Sequence, residues 1–437
     1  MNAAHTGTWE FLAVDVPPLL AALLSSLVCG LLGNWLVLRR MSLMGDAISH
    51  SVLPGIVAAF LITGSRAPLP MFIGALVAGG LTTLLSAAVR RYARVDSGAA
   101  MGVVFASLFA LGVLLIEQAA ARQVDLDPDC VLYGSLESLF WFPPADAGQL
   151  LTLASLARLP TPILTLFGTT AIAAIVTWLL RKELALTSFD PELGAALGFR
   201  PRLVHAILMM LVAAATVASF EAVGSILVVA MLTCPAACAR LWTDRLRSQI
   251  ALSVVFALGL ALSGYLIAAT APTWLGTSDA LSIAGTISVM GGVALTISAL
   301  ASPRHGVIAI ALRRRSLAHR IAREDVLGLL YRLRETGQVD VPHLSNLGLH
   351  SGELGLRLAI ASGDIARLGE HVRLTEAGLA VAQTIIRRHR RWEGFLADEL
   401  KLPPDHVHPT AEQLEHFAEA EPPDGNRTVD PHGRPIP

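Results

Sequence analysis

The chain has 437 residues, of which 54% are hydrophobic and only 15% charged, and its mean hydropathy is +0.59. This composition excludes a single water-soluble globule, because so few charged side chains cannot cover the surface of a protein of this mass. The formal net charge of -1 offers no basic excess for nucleic acid. Neither lysine, Lys182 or Lys401, stands in a G-x-x-x-x-G-K-[ST] phosphate loop, which excludes ATP hydrolysis by that route.

Hydropathy divides the chain in two. Residues 1–312 form a series of apolar segments, whereas residues 313–437 are rich in Arg, Glu, Asp and His. We expect an all-α polytopic membrane domain followed by a soluble domain. Nine segments are long enough to cross about 30 Å of hydrocarbon. They cover residues 16–38, 47–63, 68–89, 98–117, 163–180, 203–220, 222–239, 248–270 and 280–300.

The cations between these segments indicate an orientation. If the N-terminus lies outside, the external connections carry only Arg66, Arg122 and Arg158. The opposite connections carry Arg39, Arg40, Arg90, Arg91, Arg94, Arg181, Lys182, Arg200, Arg202, Arg240, Arg245 and Arg247. The positive-inside rule then places the N-terminus outside, and an odd number of spans places the C-terminal domain in the cytoplasm. The external connection over 118–162 is expected to be a docking face or lid.

The second span begins with a carboxylate and an imidazole. Asp46 and His50 are separated by four residues, so both project from one face of a helix. Such donors suit Mn²⁺, Fe²⁺ or Zn²⁺, and ionisable groups inside a membrane are functional candidates. From the residues alone, a structural pair capping the helix fits equally well. Pro54-Gly55 is expected to break this span.

A second distinctive stretch runs from Glu221 to Arg245, from a span into a Pro- and Ala-rich amphipathic turn. Pro235 is expected to interrupt the span, and Arg240, Asp244 and Arg245 follow it. A short helix of this kind beneath the membrane could dock into a groove on a soluble partner. An ordinary basic membrane end is the alternative that the residues leave open.

Three ordered motifs resemble the permease subunits of bacterial ABC importers for manganese, zinc and iron. They are the block over 41–55, the sequence Lys182-Glu-Leu-Ala-Leu-Thr-Ser-Phe-Asp-Pro-Glu192 and the block over 224–240. The resemblance covers residues 10–302. It implies that Asp46 and His50 serve metal passage and that the segment around Pro235, Arg240, Asp244 and Arg245 engages a separate ATPase. It further implies an inner-membrane location, an external metal-binding protein and a second permease subunit, identical or sister.

The soluble part is expected to be a winged helix over about 321–378 followed by helices over about 379–437. Glu412, Glu415 and His416 share one helical face, and His389 and Glu393 form another pair four residues apart. With His408 these side chains could form a metal site suited to Mn²⁺ or Fe²⁺. A solvated acidic helix with incidental histidines is the alternative.

Residues 321–437 resemble metal-responsive repressors of the iron- and manganese-dependent type, related to the diphtheria toxin repressor. The resemblance rests on Tyr331, the stretch Val372–Gly378, the Glu412-x-x-Glu-His416 motif and the closing Asp430–Pro437. It implies metal ligands at seven positions: Asp325, His389, Glu393, His408, Glu412, Glu415 and His416. Glu412 stands where iron-type members have Cys, which favours manganese. Gly328 stands where manganese-type members have a carboxylate, which implies a weaker site or one ion instead of two.

Three functions for this domain follow. The leading hypothesis is a cytoplasmic metal sensor that slows import when metal is plentiful. The second is a membrane-tethered transcription regulator, and the third is a module for dimerisation or stability alone. The stretch expected to be the recognition helix, residues 351–360, carries one Arg and one Glu, whereas DNA binding needs several cations. We therefore do not expect DNA to be a partner.

Overall fold

The computed structural model describes most of the chain. The described residues are 11–65, 67–120, 136–142, 152, 158–276, 281–339, 341–342, 352–369, 371–417 and 428–437. The chain divides into two compact units, Met1–Val307 and Ile308–Pro437. Most of the connection over 118–162, expected to be a docking face or lid, lies outside the described residues.

The first unit is a bundle of apolar helices. Among the described residues, nine helical segments are long and apolar enough to cross a membrane, which confirms the expected polytopic fold. Its helices are α1 (Val16–Leu38), α2 (Met44–Ser51), α3 (Leu53–Thr63), α4 (Pro68–Ala93), α5 (Ser97–Ala120), α6 (Thr161–Leu179), α7 (Arg181–Phe189), α8 (Pro191–Ala196), α9 (Pro201–Val223), α10 (Ser225–Trp242), α11 (Leu246–Leu275) and α12 (Ile283–Ala301). A 3₁₀ turn, Leu136–Ser138, lies between α5 and α6.

The core of this unit lies between α1, α9 and α10. Trp35, Leu208 and Met231 from these three helices are almost completely buried. By contrast, α12 and much of α5 and α6 expose large apolar side chains such as Val289 and Phe167. Apolar exposure of this extent is expected of helices that face lipid.

One of the described spans is interrupted. The helix that begins at Met44 ends at Ser51, and α3 starts at Leu53 with Pro54 in its first turn, as the Pro54-Gly55 sequence predicts. Two neighbouring spans, α9 and α10, are separated by the single residue Gly224, whose φ is 81°. Positive φ is readily adopted only by glycine.

The prediction that Pro235 interrupts its span is wrong. Pro235 is buried inside α10, which continues without a break to Trp242. Proline removes one backbone hydrogen bond, but a membrane helix tolerates it where neighbouring helices pack around the site.

The described residues of the second unit form four helices and a small sheet. The helices are α13 (Val307–Glu335), α14 (Gly352–Ala361), α15 (Glu376–Asp398) and α16 (Pro404–Phe417), and the strands are β1 (Val341–Pro342), β2 (Ile365–Leu368) and β3 (His371–Leu374). The sheet is antiparallel with strand order β1-β3-β2, and Ile365 pairs with Leu374 in the β2–β3 hairpin. Helices α13 and α14 with this hairpin have the elements of the expected winged helix, whose stretch over 344–349 is not among the described residues.

The core of the second unit joins α13, the hairpin and α15. Val326 and Leu327 on α13 are fully buried and lie in one cluster with Val372 on β3 and Ala382 on α15. A second small cluster joins α15 to α16. These two clusters fix the mutual positions of α13, α15 and α16, the helices that carry the expected metal ligands.

The boundary between the two units lies a few residues before the position at which the sequence changes from apolar to charged. The contacts divide the chain after Val307, whereas the charged sequence begins at Arg313. Helix α13 is continuous across residues 307–335, so the charged segment is the surface of a helix and not a flexible linker.

Candidate metal sites

The first candidate site is the Asp46–His50 pair on α2. His50 Nε2 lies 3.4 Å from Asp46 Oδ1, and the two side chains are 31% and 37% exposed. The His50 ring also lies 6.0 Å from the rings of Phe105 and Phe109 on α5. The pair is therefore partly accessible, at the edge of an otherwise apolar surface.

The geometry is compatible with both interpretations of this pair, since Asp46 lies in the first turn of α2 and His50 in its last turn. Helix α2 begins after Leu43, and no side chain makes a capping hydrogen bond there. Asp46 is the third residue of the helix, where its charge interacts favourably with the helix dipole. Its carboxylate is directed towards His50, so the pair can offer one oxygen and one nitrogen to a cation.

The segment expected to contact an ATPase lies at the end of α10 and the start of α11. Arg240 is in the last turn of α10, and Asp244 and Arg245 form the connection to α11. Arg240 Nη1 lies 3.8 Å from Asp244 Oδ1, and the Arg245 backbone N–H donates to Thr243 Oγ1. Pro235 lies two turns away inside the helix, apart from this exposed cluster.

Asp244 also joins this connection to the residues after α12. Its carboxylate lies 2.9 Å from His305 Nε2 and 3.3 Å from Arg304 Nη1. The hydrogen bond from His305 lowers the pKa of Asp244, with smaller contributions from Arg240 and Arg304. Asp244 is therefore held as a carboxylate that links the α10–α11 connection to the residues following α12.

In the second unit, one group of candidate ligands lies between α15 and α16. Glu393 Oε1 lies 3.1 Å from His389 Nε2 and 2.7 Å from His408 Nδ1. The single turn between His389 and Glu393 places both on the buried face of α15. One oxygen and two nitrogens thus converge within 4.8 Å of one another.

A second group lies between α13 and α16. His416 Nε2 lies 3.0 Å from Asp325 Oδ1 and 3.5 Å from Glu415 Oε1. Both Glu415 and His416 are buried. These three ligand atoms also lie within 4.8 Å of one another.

Glu415 connects the two groups. One of its oxygens faces His416, while the other lies 2.5 Å from His389 Nδ1. The two atoms therefore form a close buried ion pair, although they do not meet hydrogen-bond geometry. This pair is satisfied while the imidazole is protonated, and a divalent cation could take the place of that proton. The residues therefore fit a divalent ion.

The structure brings together six of the seven expected ligands. The exception is Glu412, whose side chain is exposed and belongs to neither group among the described residues. Gly328 offers no ligand, as its sequence implies, and an added Cβ would meet only Ile386 at 3.9 Å. The sequence did not identify Glu324, which contacts His416 Nδ1 at 2.7 Å and stands one turn before Gly328.

The ligand clusters shift the pKa values of their members. Burial alone would lower the pKa of His416, but hydrogen bonds to Asp325 and Glu324 raise it to about 9. Burial opposes ionisation of Glu393, yet its bonds to His389 and His408 lower its pKa to about 2. The metal-free clusters thus hold carboxylates paired with protonated imidazole.

Helix α15 carries a cluster of arginines that includes Arg387, Arg388 and Arg390. These three side chains make contacts within the second unit. Arg390 is buried, with Nη2 2.5 Å from Glu335 Oε2, and Arg388 donates to the Glu415 carbonyl at 2.9 Å. Arg387 donates to the C-terminal carbonyl of Pro437. These guanidinium groups hold the ligand-bearing helix to its neighbours.

Comparison with known proteins identifies both parts of the chain. The family model described as ABC 3 transport family matches residues 13–140 and 148–291, which is more than half of the sequence. The chain belongs to the ABC 3 transport family. It is thus a multi-pass membrane subunit of a transport system and not an enzyme. Residues 375–437 match the model of the iron-dependent repressor metal binding and dimerisation domain.

Named relatives of this ABC 3 family chain are transport proteins. The manganese transport system membrane protein MntD of Bacillus subtilis is 40% identical over 285 residues, covering 65% of this chain and 91% of the relative. The zinc transport system membrane protein TroD of Treponema pallidum is 32% identical over 374 residues, covering 83% and 96%. An alignment of 374 residues is longer than the first unit, so the similarity to TroD extends into the second unit.

A solved structure supports the same fold. PsaBC from Streptococcus pneumoniae, in complex with Fab, matches with a TM-score of 0.52 and 30% identity. The match covers 66% of this ABC 3 family chain and 92% of the solved one.

Proposed function

We propose that this chain is the permease subunit of an ATP-driven importer of a divalent transition metal, with manganese favoured and zinc or iron as alternatives. The observation that carries the proposal is the Asp46–His50 pair on an interrupted span of an ABC 3 family chain. Irregular backbone at membrane depth is typical of substrate pathways. The similarity to membrane proteins of manganese and zinc transport systems supports the choice of metal.

The ion would pass the Asp46–His50 pair during alternating access. A carboxylate and an imidazole can replace part of the hydration shell of the ion, and their partial exposure allows it to enter and leave. Two protein ligands hold an ion weakly, which suits transfer better than storage. No covalent change in the substrate is involved.

The energy would come from partner subunits. We assign the exposed segment with Arg240, Asp244 and Arg245 as the surface that engages a separate ATP-binding subunit, with Pro235 inside the helix that leads to it. An extracytoplasmic binding protein would deliver the metal, and a second permease subunit would complete the pathway. The cation distribution favours an external N-terminus and a cytoplasmic C-terminal unit in a bacterial inner membrane.

The C-terminal unit would sense cytoplasmic metal and regulate import. Carboxylates and imidazoles without thiolates suit Mn²⁺ or Fe²⁺. When bound, the ion would supply a positive charge between α13, α15 and α16, held by His389, Glu393 and His408 in one group and by Asp325, Glu415 and His416 in the other. The internal contacts of Arg388 and Arg390 favour this role over DNA binding.

Metal uptake with an Asp46→Ala variant tests the transport proposal. In vesicles that contain the companion subunits, we expect this substitution to reduce manganese uptake at least tenfold, because one of two pathway ligands is lost. Glu117→Ala is the matched control, since Glu117 is an exposed carboxylate in α5 and should leave uptake unchanged. Uptake that is equal in the parent and in Asp46→Ala would contradict the assignment.

A further inference from the structure

A carboxylate outside both ligand groups holds the far side of the His416 ring. Glu324 Oε2 lies 2.7 Å from His416 Nδ1. The other ring nitrogen, Nε2, faces Asp325 Oδ1 at 3.0 Å and Glu415 Oε1 at 3.5 Å. The two ring nitrogens point away from each other, so Glu324 bonds to His416 from outside the ligand group.

The contact is well enclosed. The Glu324 side chain is 17% exposed and that of His416 only 5%, so water competes weakly for their hydrogen bond. Arg320 supports the same arrangement, with Nε 3.7 Å from Glu324 Oε1 and a hydrogen bond from its guanidinium to the His416 carbonyl. Residues of α13 thus hold both the ring and the backbone of His416.

We propose that Glu324 is a positioning residue for metal binding in the C-terminal unit. By accepting a hydrogen bond from Nδ1, it keeps a proton on that nitrogen and directs the lone pair of Nε2 towards Asp325 and Glu415. A carboxylate in this position fixes the ring orientation and increases the basicity of the coordinating nitrogen. The inference rests on the proposed metal-sensing function of the unit.

The sequence around Glu324 makes its hydrogen bond with His416 important for metal affinity. Gly328, one turn further along α13, has no side chain, so Asp325 is the one carboxylate that α13 supplies to the ligand group among the described residues. With few oxygen ligands nearby, the affinity depends strongly on how well His416 is oriented. Glu324 therefore contributes to the affinity without coordinating the ion.

Titration of the purified full-length protein with Mn²⁺ tests the role. Loss of the electron paramagnetic resonance signal of aqueous Mn²⁺ measures binding, and subtracting the curve of a Glu415→Ala/His416→Ala variant isolates the binding that depends on Glu415 and His416. We expect Glu324→Ala to weaken this binding by about 10–100-fold, as for other supporting carboxylates. Glu324→Gln should retain most of the affinity, because its amide oxygen still accepts from Nδ1.

The control is Glu353→Ala on α14, which removes an exposed carboxylate paired with Arg357 and should leave binding unchanged. Melting temperatures of the metal-free variants check folding, and Glu324→Gln remains informative if Glu324→Ala is unstable. Unchanged affinity in Glu324→Ala, or equal losses in both Glu324 variants, would overturn the positioning role. Equal binding by the parent and the Glu415→Ala/His416→Ala variant would instead refute metal binding by the group of Asp325, Glu415 and His416, and with it the proposed sensor role of that group.

Discussion

The protonation of His416 couples metal binding to pH. In the metal-free unit, its pKa is raised to about 9 by carboxylates on both sides of the ring, so the imidazole is protonated at pH 7. A metal ion needs a free lone pair and must displace this proton from Nε2. The same carboxylates that attract the ion therefore also create a competing proton.

We expect manganese binding at pH 7 to release about one proton per ion from His416, and more if His389, whose pKa is also raised, takes part. Raising the pH removes the competing proton, so affinity should rise by about tenfold per pH unit per proton until pH 9. Calorimetry in two buffers with different ionisation enthalpies measures the release. Subtraction of the Glu415→Ala/His416→Ala variant isolates the binding that depends on Glu415 and His416, and zero release at pH 7 would contradict the protonated state.

The crossing of α3 and α4 illustrates how helices of the first unit fit together. Gly55 and Gly74 face each other, and a Cβ on Gly55 would lie 2.1 Å from the Gly74 carbonyl oxygen. Close backbone approach through small residues is a common source of helix association in membranes. The pair fixes the second half of the interrupted span that carries Asp46 and His50.

We expect Gly55→Ala to lower stability by about 1–3 kcal/mol, because the added methyl group must push α3 away from α4. Thermal unfolding of the detergent-solubilised protein should show the loss as a lower melting temperature. Gly102→Ala is the matched control, since nothing lies within 4 Å of a Cβ at this helical glycine. Its helix propensity should make it neutral or slightly stabilising, and equal destabilisation by both substitutions would refute the packing argument.

At the scale of the whole molecule, the proposed transport pathway and the proposed metal sensor lie in separate units of one chain. The Asp46–His50 pair lies in the unit ending at Val307, and both candidate ligand groups lie in the unit that follows. A bound metal can influence transport only if it binds one conformation of the C-terminal unit better than another. Removing the ligands should therefore abolish regulation and leave the transport pathway intact.

We expect the parent to import less manganese at high internal metal, and we expect the Glu415→Ala/His416→Ala variant to import normally at low internal metal and to lack this inhibition at high internal metal. Uptake into vesicles preloaded with different manganese concentrations makes this measurement. A His371→Ala/Glu399→Ala variant removes exposed residues of the same types, outside both described ligand groups, and should remain inhibited. Equal inhibition in the parent and in the ligand variant would argue for a module that only dimerises or stabilises.

The sequence by itself determined the membrane-spanning character and the division into two parts. Span length follows from bilayer thickness and hydropathy, which are local properties of the sequence. The separations within Asp46–His50 and His389–Glu393 were likewise readable, because helical periodicity places residues four apart on one face. Asp325 was predicted as a metal ligand only from the resemblance to metal-responsive repressors, because no other expected ligand lies one helical turn away from it in the sequence.

Only the tertiary structure decided which distant side chains meet. Glu324 and His416 are 92 residues apart, and their contact depends on how α13 and α16 pack. Packing likewise left Glu412 exposed and placed Glu415 between the two ligand groups. A single sequence records the periodicity of each helix but not the rotation of one helix against another, which the shapes of all the buried side chains fix together.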